Sequence, residues 1–594
     1  MYFPIFNEVA RSREITNVFG GYCHKLSCAE GQFYDMKNMT SRYFPMLSPR
    51  KKRGLVATLS KPQGILDKED LWWIDDRKLY RNGKEIPLTE GFLTDTPKSI
   101  VKMGAYIVIF PDKVWVKVDN DGFIEYGNLE NFYGIAVGEK VTFSISDQSG
   151  NDITWHDAKY YEENDPKDGD YQLNVSESGK ASLKVYSATT SIWTSVTSTY
   201  MQISADGIGK GFEADDGIKI ICNSNKGSFG NIFVNDEGED KYSVSTYIVS
   251  RTDNSITIPG IYYDAETERT DILLEVKRYV PSMSYVTECF NRLWGCSDDG
   301  HEIYCSKLGD IKNWNSFRGN STDSWAVTVG SDGVFTGAIT YGGYPMFFKE
   351  DSFIKIAVSS TGAHQTKETA CRGVQKGSGN SLSILNEVLY YKSASCICGY
   401  NGGLPYSISD DLGDDRYYDA VAGSFGDYYY ISMRGDDGKY GMFVFDVKNG
   451  MWCKEDDTQV LHFCRYLDEL YFIDSNGNLK AIDGMFKYGN SIREGDFNWY
   501  VESGVIGYAS PDNKYVAKVN IRLTLELGTN VDFYLQYDSN GEWVHMFNMS
   551  GKGTRSFAVP IIPRRCDHFK YRIMGKGDCK IHSVTKTIEE GSET

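Results

Sequence analysis

A short apolar run, a polar turn and a second run carrying an aromatic residue recur along this chain. That recurrence restricts the fold more than any other feature. The units are Leu71-Trp72-Trp73-Ile74 with Leu79-Tyr80, 106–110 with Val114-Trp115-Val116, and Arg292-Leu293-Trp294 with Glu302-Ile303-Tyr304. They continue with Met346-Phe347-Phe348 and 353–356, 388–391 and 397–400, 428–432 and 442–446, and 470–474 and 479–482. Between the runs stand Asp75-Asp76-Arg77-Lys78, Ser297-Asp298-Asp299-Gly300, Asp436-Asp437-Gly438 and Ser475-Asn476-Gly477-Asn478. Asp, Asn and Gly accept the left-handed backbone that a tight hairpin requires. Seven such units at a spacing of roughly 30–50 residues predict an all-β chain built on a β-propeller, whose four-stranded blades cover one another's faces. An array of two-sheet sandwiches is the alternative, and six to eight blades fit the spacing.

The rhythm is interrupted. Residues 55–129 and 281–490 carry the repeats, whereas 130–280 hold strands at 141–145, 181–186, 192–193, 200–203, 218–222, 247–250 and 255–258 with no repeat, and an exposed loop at 162–170. An inserted β-domain of about 150 residues is expected there. Residues 1–54 mix apolar anchors with turn formers and predict an irregular arm laid over its own domain or a neighbouring subunit. Residues 491–594 alternate strictly at Val519, Ile521, Leu523, Leu525 and Leu527, then at Val531, Phe533, Leu535 and Tyr537, and again at Phe569, Tyr571 and Ile573. One apolar face per strand predicts a C-terminal β-sandwich. Gly528-Thr529-Asn530 reads as a hairpin between the first two runs, 492–496 as a polar bridge, and 589–594 as a frayed tail.

Among 594 residues, 81 acidic against 63 basic side chains leave a net charge of −18. That excludes a tight grip on nucleic acid, which needs clustered cations, but not a wall that DNA slides past. Arg50-Lys51-Lys52-Arg53 is the one dense basic run; it reads as a solvated turn, or as a contact to phosphate or an acidic neighbour. No stretch approaches the ~18 apolar residues of a membrane span, and the first residues lack the pattern of a secretory leader. Thirteen Cys in no disulfide-like spacing predict free, mostly buried thiols in a reducing cytoplasm.

No reaction is legible. The eight His (24, 156, 301, 364, 462, 545, 568, 582) lack the i, i+4 spacing of a zinc helix. Cys396-Ile397-Cys398 places two thiols on one strand face, and Cys23 and Cys28 lie in the arm, without a partner pair at zinc spacing. Asp119-Asn120-Asp121-Gly122 lacks the remaining ligands of a calcium loop. Ser297-Asp298-Asp299-Gly300 resembles the Asp-box turn of sialidase propellers, a structural motif, without its Trp. Trp72, Trp115, Trp294, Trp314 and Trp452 hold fixed places in the hairpins, which favours core packing over sugar stacking. No catalytic, cofactor-binding or metal-binding residue is assigned, and no cofactor is expected.

The order NRLWG (291–295), EIYCSKLGDIKNW (302–314), a Tyr-Gly-Gly turn and FFKEDSFIKI (347–356) resembles a group of bacteriophage virion proteins. These are known as stabilisation or tail proteins in prophages of Gram-positive bacteria. The likeness continues through GIGKGFEADDGIKI (207–220), GLPYSIS (403–409) and KYVAKVNIRLTLELGTNVDFYLQYD (514–538). Its architectural relative is the nozzle of short-tailed phages, tail tubular protein B. The resemblance implies a non-enzymatic tail nozzle, tail tube or head–tail ring component that lines the DNA channel and helps retain and eject the genome. It implies a homo-oligomeric ring, six-fold by expectation, that contacts other tail, adaptor or portal proteins. DNA would pass without sequence-specific binding, and the chain would span no membrane. The protein would assemble in the host bacterial cytoplasm and reside in the virion. The alternative is a host-adsorption protein binding or cleaving cell-surface glycans; an intracellular scaffold is the default for propellers without chemistry.

Overall fold

A computed structural model describes residues 11–25, 27–118, 123–158, 166–177, 180–223, 234–235, 242–264, 266–484, 492–508 and 512–590. The chain is all-β, apart from two 3-10 turns among the described residues. Seven four-stranded antiparallel meanders form the blades of a propeller. Blade 1 spans 62–86, blade 2 spans 99–128, blade 3 spans 285–328, blade 4 spans 337–370, blade 5 spans 383–407 and blade 6 spans 417–456. Blade 7 takes three strands from 460–481 and its fourth from Gly54–Thr58, which pairs antiparallel with Asn478–Ala481. The first strand of each blade lies innermost. The circle closes where Val460–Tyr466 of blade 7 meets Pro62–Lys68 of blade 1.

Each recurrent hairpin is the second and third strand of a blade, and its apolar runs are continuous because both faces are buried. In blade 1, Trp72 and Ile74 pack on Ile107 and Ile109 of blade 2, while Leu71 and Trp73 pack on Tyr471 and Ile473 of blade 7. Trp294 and Ile303 of blade 3 meet Phe347 and Ile354 of blade 4. Phe348 of blade 4 meets Tyr391 and Cys398 of blade 5, and Tyr430 of blade 6 meets Phe472 of blade 7. The turns obey the chemistry anticipated for them: Asp76 and Arg77 both have positive φ (44° and 65°). Near the axis the inner strands crowd, so Gly423 stands where a Cβ would lie 2.6 Å from Cβ of Phe463 in the next blade.

Between blades 2 and 3 the chain leaves the propeller. Asn131–Ile135 and Leu274–Arg278 pair side by side, with Asn131 opposite Arg278. They belong to one of two five-stranded sheets that enclose Phe143, Ile203, Phe212, Ile220, Ile258 and Val276. A small four-stranded sheet over 155–195 packs beside them. The run read as one strand at 247–250 is broken: one strand ends at Tyr247 and the next begins at Ser250.

Residues 11–50 lie over their own chain, as one of the two expectations had it, but they do so as paired strands rather than irregularly. Arg11–Thr16 pairs with Cys579–Glu590, Gln32–Lys37 pairs with Asn498–Ser503, and Tyr22 pairs with Trp452 of blade 6. One sandwich sheet therefore runs on into blade 6 as a ten-stranded sheet; the other holds Arg11–Thr16, Cys579–Glu590, Lys514–Leu525 and Gly553–Val559. Gly528-Thr529-Asn530 is not a hairpin. Lys514–Leu525 and Asn530–Tyr537 lie in opposite sheets, so the turn is a corner across the core, and Leu527, expected inside, is 81% exposed. The acidic tail is ordered through Glu590: Glu589 pairs with Arg11 by ladder and by ion pair. Residues 591–594 lie outside the described residues.

Candidate functional site

The basic run at 50–53 is where structure departs most from a solvated turn. Arg50 and Arg53 are 5% and 4% exposed. Arg53 joins Glu455 and Asp456 of blade 6, each at 2.7 Å. Arg50 grips Glu494 through two bonds of 2.7 and 3.0 Å. Lys51 reaches Asp483 and Lys52 reaches Asp496. The 492–496 segment is thus the acidic half of a clamp rather than a loose bridge, and its Ile492-Arg493 pair adds a short strand beside Gly54–Thr58. Burial opposes ionisation of Asp456, but Arg53 and Arg50 outweigh it and hold the carboxyl at about 2. Beside the clamp, Arg42, Tyr43, Lys51, Asp483, Glu526 and Lys580 line a cleft of about 660 Å³ where propeller, N-terminal segment and sandwich meet.

A second junction brings together two of the motifs quoted above. Arg292, 3% exposed, donates to the carbonyls of Ser306, Ser321 and Asp323 and so fixes the loop that follows the blade 3 hairpin. That loop receives the insertion. Asn313 donates to the Asp215 carbonyl at 2.6 Å and accepts from the Gly217 amide, Lys312 pairs with Glu213 at 2.9 Å, and Arg318 pairs with Asp215 at 2.6 Å. Gly217 must be glycine, because a Cβ there would strike the Asn315 carbonyl. Segments 207–220 and 302–314 therefore meet in one interface. In the turn before it, Asp299 accepts from the Ser297 hydroxyl and the His301 amide, and Asp298 accepts from Ser284. Both carboxylates shape the hairpin.

Trp72, Trp294, Trp314 and Trp452 are buried in blade cores, and Trp115 is half-buried under Lys312. None of the four buried rings offers a face to a sugar. A more open groove of about 710 Å³ runs between blades 4 and 5, lined by Tyr344, Phe353, Lys355, Tyr400 and the exposed Leu404. The Lys355 ammonium lies 3.7 Å from the centre of the Tyr344 ring. Among the described residues no group of three or more His, Cys, Asp or Glu is placed to hold a metal, and no helix is long and apolar enough to cross a membrane. Asp119-Asn120-Asp121-Gly122 lies outside the described residues.

Sequence inspection missed one acid–base array. Ser539 Oγ stands 2.8 Å from His568 Nε2, whose Nδ1 is 2.8 Å from Asp567 Oδ2. His568 lowers the pKa of Asp567 through that bond. Ser539 occupies an exposed turn, with φ of 48°, and neither cleft described above reaches it. Asp567 and His568 are adjacent, but the 29 residues separating Ser539 from His568 carry no motif. His364 meets Trp294 and Trp325 edge-on in a three-ring cluster, and His462 sits half-buried on the innermost strand of blade 7, where burial pulls its pKa down to about 4.

All thirteen thiols are free, ten of them buried. Cys28, Cys371 and Cys396 are half-buried. Burial pushes Cys28 up to about 12 and Cys371 up to about 11. Cys396 moves the other way, chiefly because Cys398 bonds to it, with Ser393, Ser395 and Arg372 adding to the effect.

By its own topology the chain is a seven-bladed β-propeller carrying an inserted two-sheet domain and a C-terminal sandwich. No protein-family profile and no curated protein matches it. Solved structures that resemble it do so remotely. BamB from Moraxella catarrhalis aligns over 73% of this chain and 97% of its own, at 11% identity and a TM-score of 0.31. Hsv2 from Kluyveromyces lactis aligns over 33% of this chain at 12% identity and a TM-score of 0.24, and the chain spans only 60% of that structure's length. An exo-β-1,3-galactanase from Phanerochaete chrysosporium aligns over 51% of this chain and 94% of its own, at 8% identity and a TM-score of 0.21.

Proposed function

We propose that this protein is a non-enzymatic structural component of a bacteriophage virion, a tail nozzle, tail tube or head–tail ring subunit that lines the DNA path. The observation offered for the reading is that large apolar side chains remain uncovered on the N-terminal segment and the sandwich, as others such as Phe132, Phe290 and Phe317 do on the insertion and propeller. Ile15, Val18, Tyr43 and Phe44 are exposed on the N-terminal segment, and Tyr508, Leu527 and Ile562 on the sandwich. A closed ring of identical chains needs two unlike faces, one on each side of the subunit, and uncovered apolar residues are what such faces require. The net charge of −18 suits a wall that DNA passes without adhering. Electron microscopy of intact particles labelled on this chain tests the reading: a closed ring, six-fold by expectation, supports it. A strictly monomeric protein absent from virions overturns it. The non-enzymatic part has its own test, since fluorophosphonate labelling that disappears in Ser539→Ala would make Ser539, His568 and Asp567 a working nucleophile relay.

The Tyr344 groove favours a second reading, adsorption to host-surface glycans, because a sugar face stacks on an exposed ring beside polar groups. Saturable binding on a glycan array that Tyr344→Ala abolishes would support it; silence on host cell-wall sugars would count against it.

A further inference from the structure

Cys396 and Cys398 flank Ile397 where the third strand of blade 5 begins, so both side chains leave one face. Their Sγ atoms are 3.6 Å apart. Two further donors converge on Cys396 Sγ, Arg372 Nη1 at 3.4 Å and the Ser395 hydroxyl at 3.7 Å, while the Ser393 hydroxyl, which donates to the Cys396 carbonyl at 2.8 Å, lies 3.5 Å from the sulfur. Arg372 is held in place through its carbonyl, which accepts from the Tyr391 hydroxyl at 2.6 Å. Behind the pair lies Lys392, 3% exposed, whose ammonium donates to the Ser393 carbonyl. Burial drags Lys392 down to about 8, with both thiols opposing the fall. A sulfur ringed by one guanidinium, one donating hydroxyl and a thiol, with an ammonium behind it, sits where a negative charge is stabilised. One proton shared between the two sulfurs leaves Cys396, the half-exposed member, as thiolate, and raises the pKa of buried Cys398.

We propose that Cys396 is a peroxide-reactive thiolate and Cys398 its resolving partner. The Cys396 thiolate attacks the terminal oxygen of a hydroperoxide; an S–O bond forms, the O–O bond breaks, and the departing alkoxide or hydroxide takes a proton from water. Cys396 becomes a sulfenic acid. Cys398 then gives up its proton and attacks Cys396 Sγ, the S–O bond breaks, and hydroxide leaves with that proton as water. The two thiols lose two electrons, the peroxide gains them, and the product is a disulfide within one strand. Arg372, fixed by Tyr391, is the positioning residue that keeps the attacking sulfur charged. The chemistry belongs to the folded blade and does not depend on whether the chain assembles into a tail.

Cys28 and Cys371 are built-in controls, equally half-buried but without a cation at the sulfur. The full-length protein, treated with iodoacetamide at pH 6 and analysed by peptide mass spectrometry, is expected to label at Cys396 at least ~100-fold faster than at either control. With limiting hydrogen peroxide, the peptide holding Cys396 and Cys398 should lose two hydrogens before any other cysteine changes. Cys398→Ser should instead accumulate a dimedone-trappable sulfenic acid at Cys396, and Arg372→Gln should slow labelling several-fold. Cys28 or Cys371 labelling as fast as Cys396 would overturn the proposal, as would a folded Cys398→Ser variant that gives no dimedone adduct. The labelling ratio in the unaltered protein decides the matter even if a variant fails to fold.

Discussion

The propeller and the domain inserted into it are both all-β, yet they are closed in opposite ways. The insertion begins and ends on neighbouring strands, with Asn131 opposite Arg278, so its sheets are completed by residues that enter and leave together. The propeller is closed by Gly54–Thr58 on Asn478–Ala481, about 420 residues away in sequence. The Arg50 and Arg53 clamp lies beside that closure. One unit is held by its own ladder and core; the other depends on a distant seam that is partly ionic. Damage to the seam should therefore reach every blade and spare the insertion.

The largest expected effect is Arg53→Ala. It leaves Glu455 buried without its cation and Asp456 with Arg50 alone, and stranding a buried charge in this way typically destabilises by about 3–5 kcal/mol. Denaturant unfolding followed separately in the two units should show the propeller transition fall while that of the insertion stays. An equal fall in both would break the comparison. Next is acidification. His462 is kept neutral down to about 4 in the folded propeller, whereas in the unfolded chain it takes a proton near 6.5. The unfolded state then binds more protons between those values, so stability should drop as pH falls from 6.5 to 4, by up to about 3 kcal/mol. His462→Gln should flatten that slope. Asp456 behaves with the usual carboxylate sign over a lower window: the clamp's contribution is complete above about 4 and fades as pH falls through about 2.

A purely steric test comes third. Gly423→Val forces a branched side chain into the space held by Phe463 and should destabilise the propeller by about 1–3 kcal/mol, read as a lower Tm. The smallest effect is expected of Asn313→Ala, which removes two hydrogen bonds between blade 3 and the insertion, about 1 kcal/mol each. Faster amide exchange at 207–220 and 306–318 with no loss of either fold would sharpen the comparison. Global unfolding would show that the two units are one.

What was legible in the sequence follows the same division. The middle hairpins announce themselves because both faces of their strands are buried and apolar. The innermost strands are less uniform, from the nine residues of Tyr417–Phe425 to the three of Ser383–Leu385, and they share no repeated aromatic pattern that would mark them as one class. Strict alternation identified the sandwich strands but could not say which sheet each joins, hence the misread corner at Gly528. The fourth strand of blade 7 and the pairing of 11–37 were invisible, since nothing local in a strand names a partner hundreds of residues away. Of the readings open for the basic run, contact with acidic neighbours is the one the structure bears out, but the partners at 455, 456, 483, 494 and 496 could not be named from the sequence for the same reason. Spacing alone did place Cys396 and Cys398 on one face, whereas Arg372 reaches them only through the fold. Ser539 and His568 likewise become neighbours only when their loops meet.

The strand at 54–58 also sets a timetable. It leaves the ribosome about 420 residues ahead of its partner at 478–481. At ~5–20 residues per second, that interval is roughly 20–80 seconds. Throughout it, blade 7 cannot exist and an exposed strand edge waits unpaired, while the insertion, complete by residue 278, can already be compact. An incomplete circle of blades with an unpaired rim therefore persists until residues 478–481 are made. Protease challenge of stalled nascent chains should find 131–278 resistant well before 54–58.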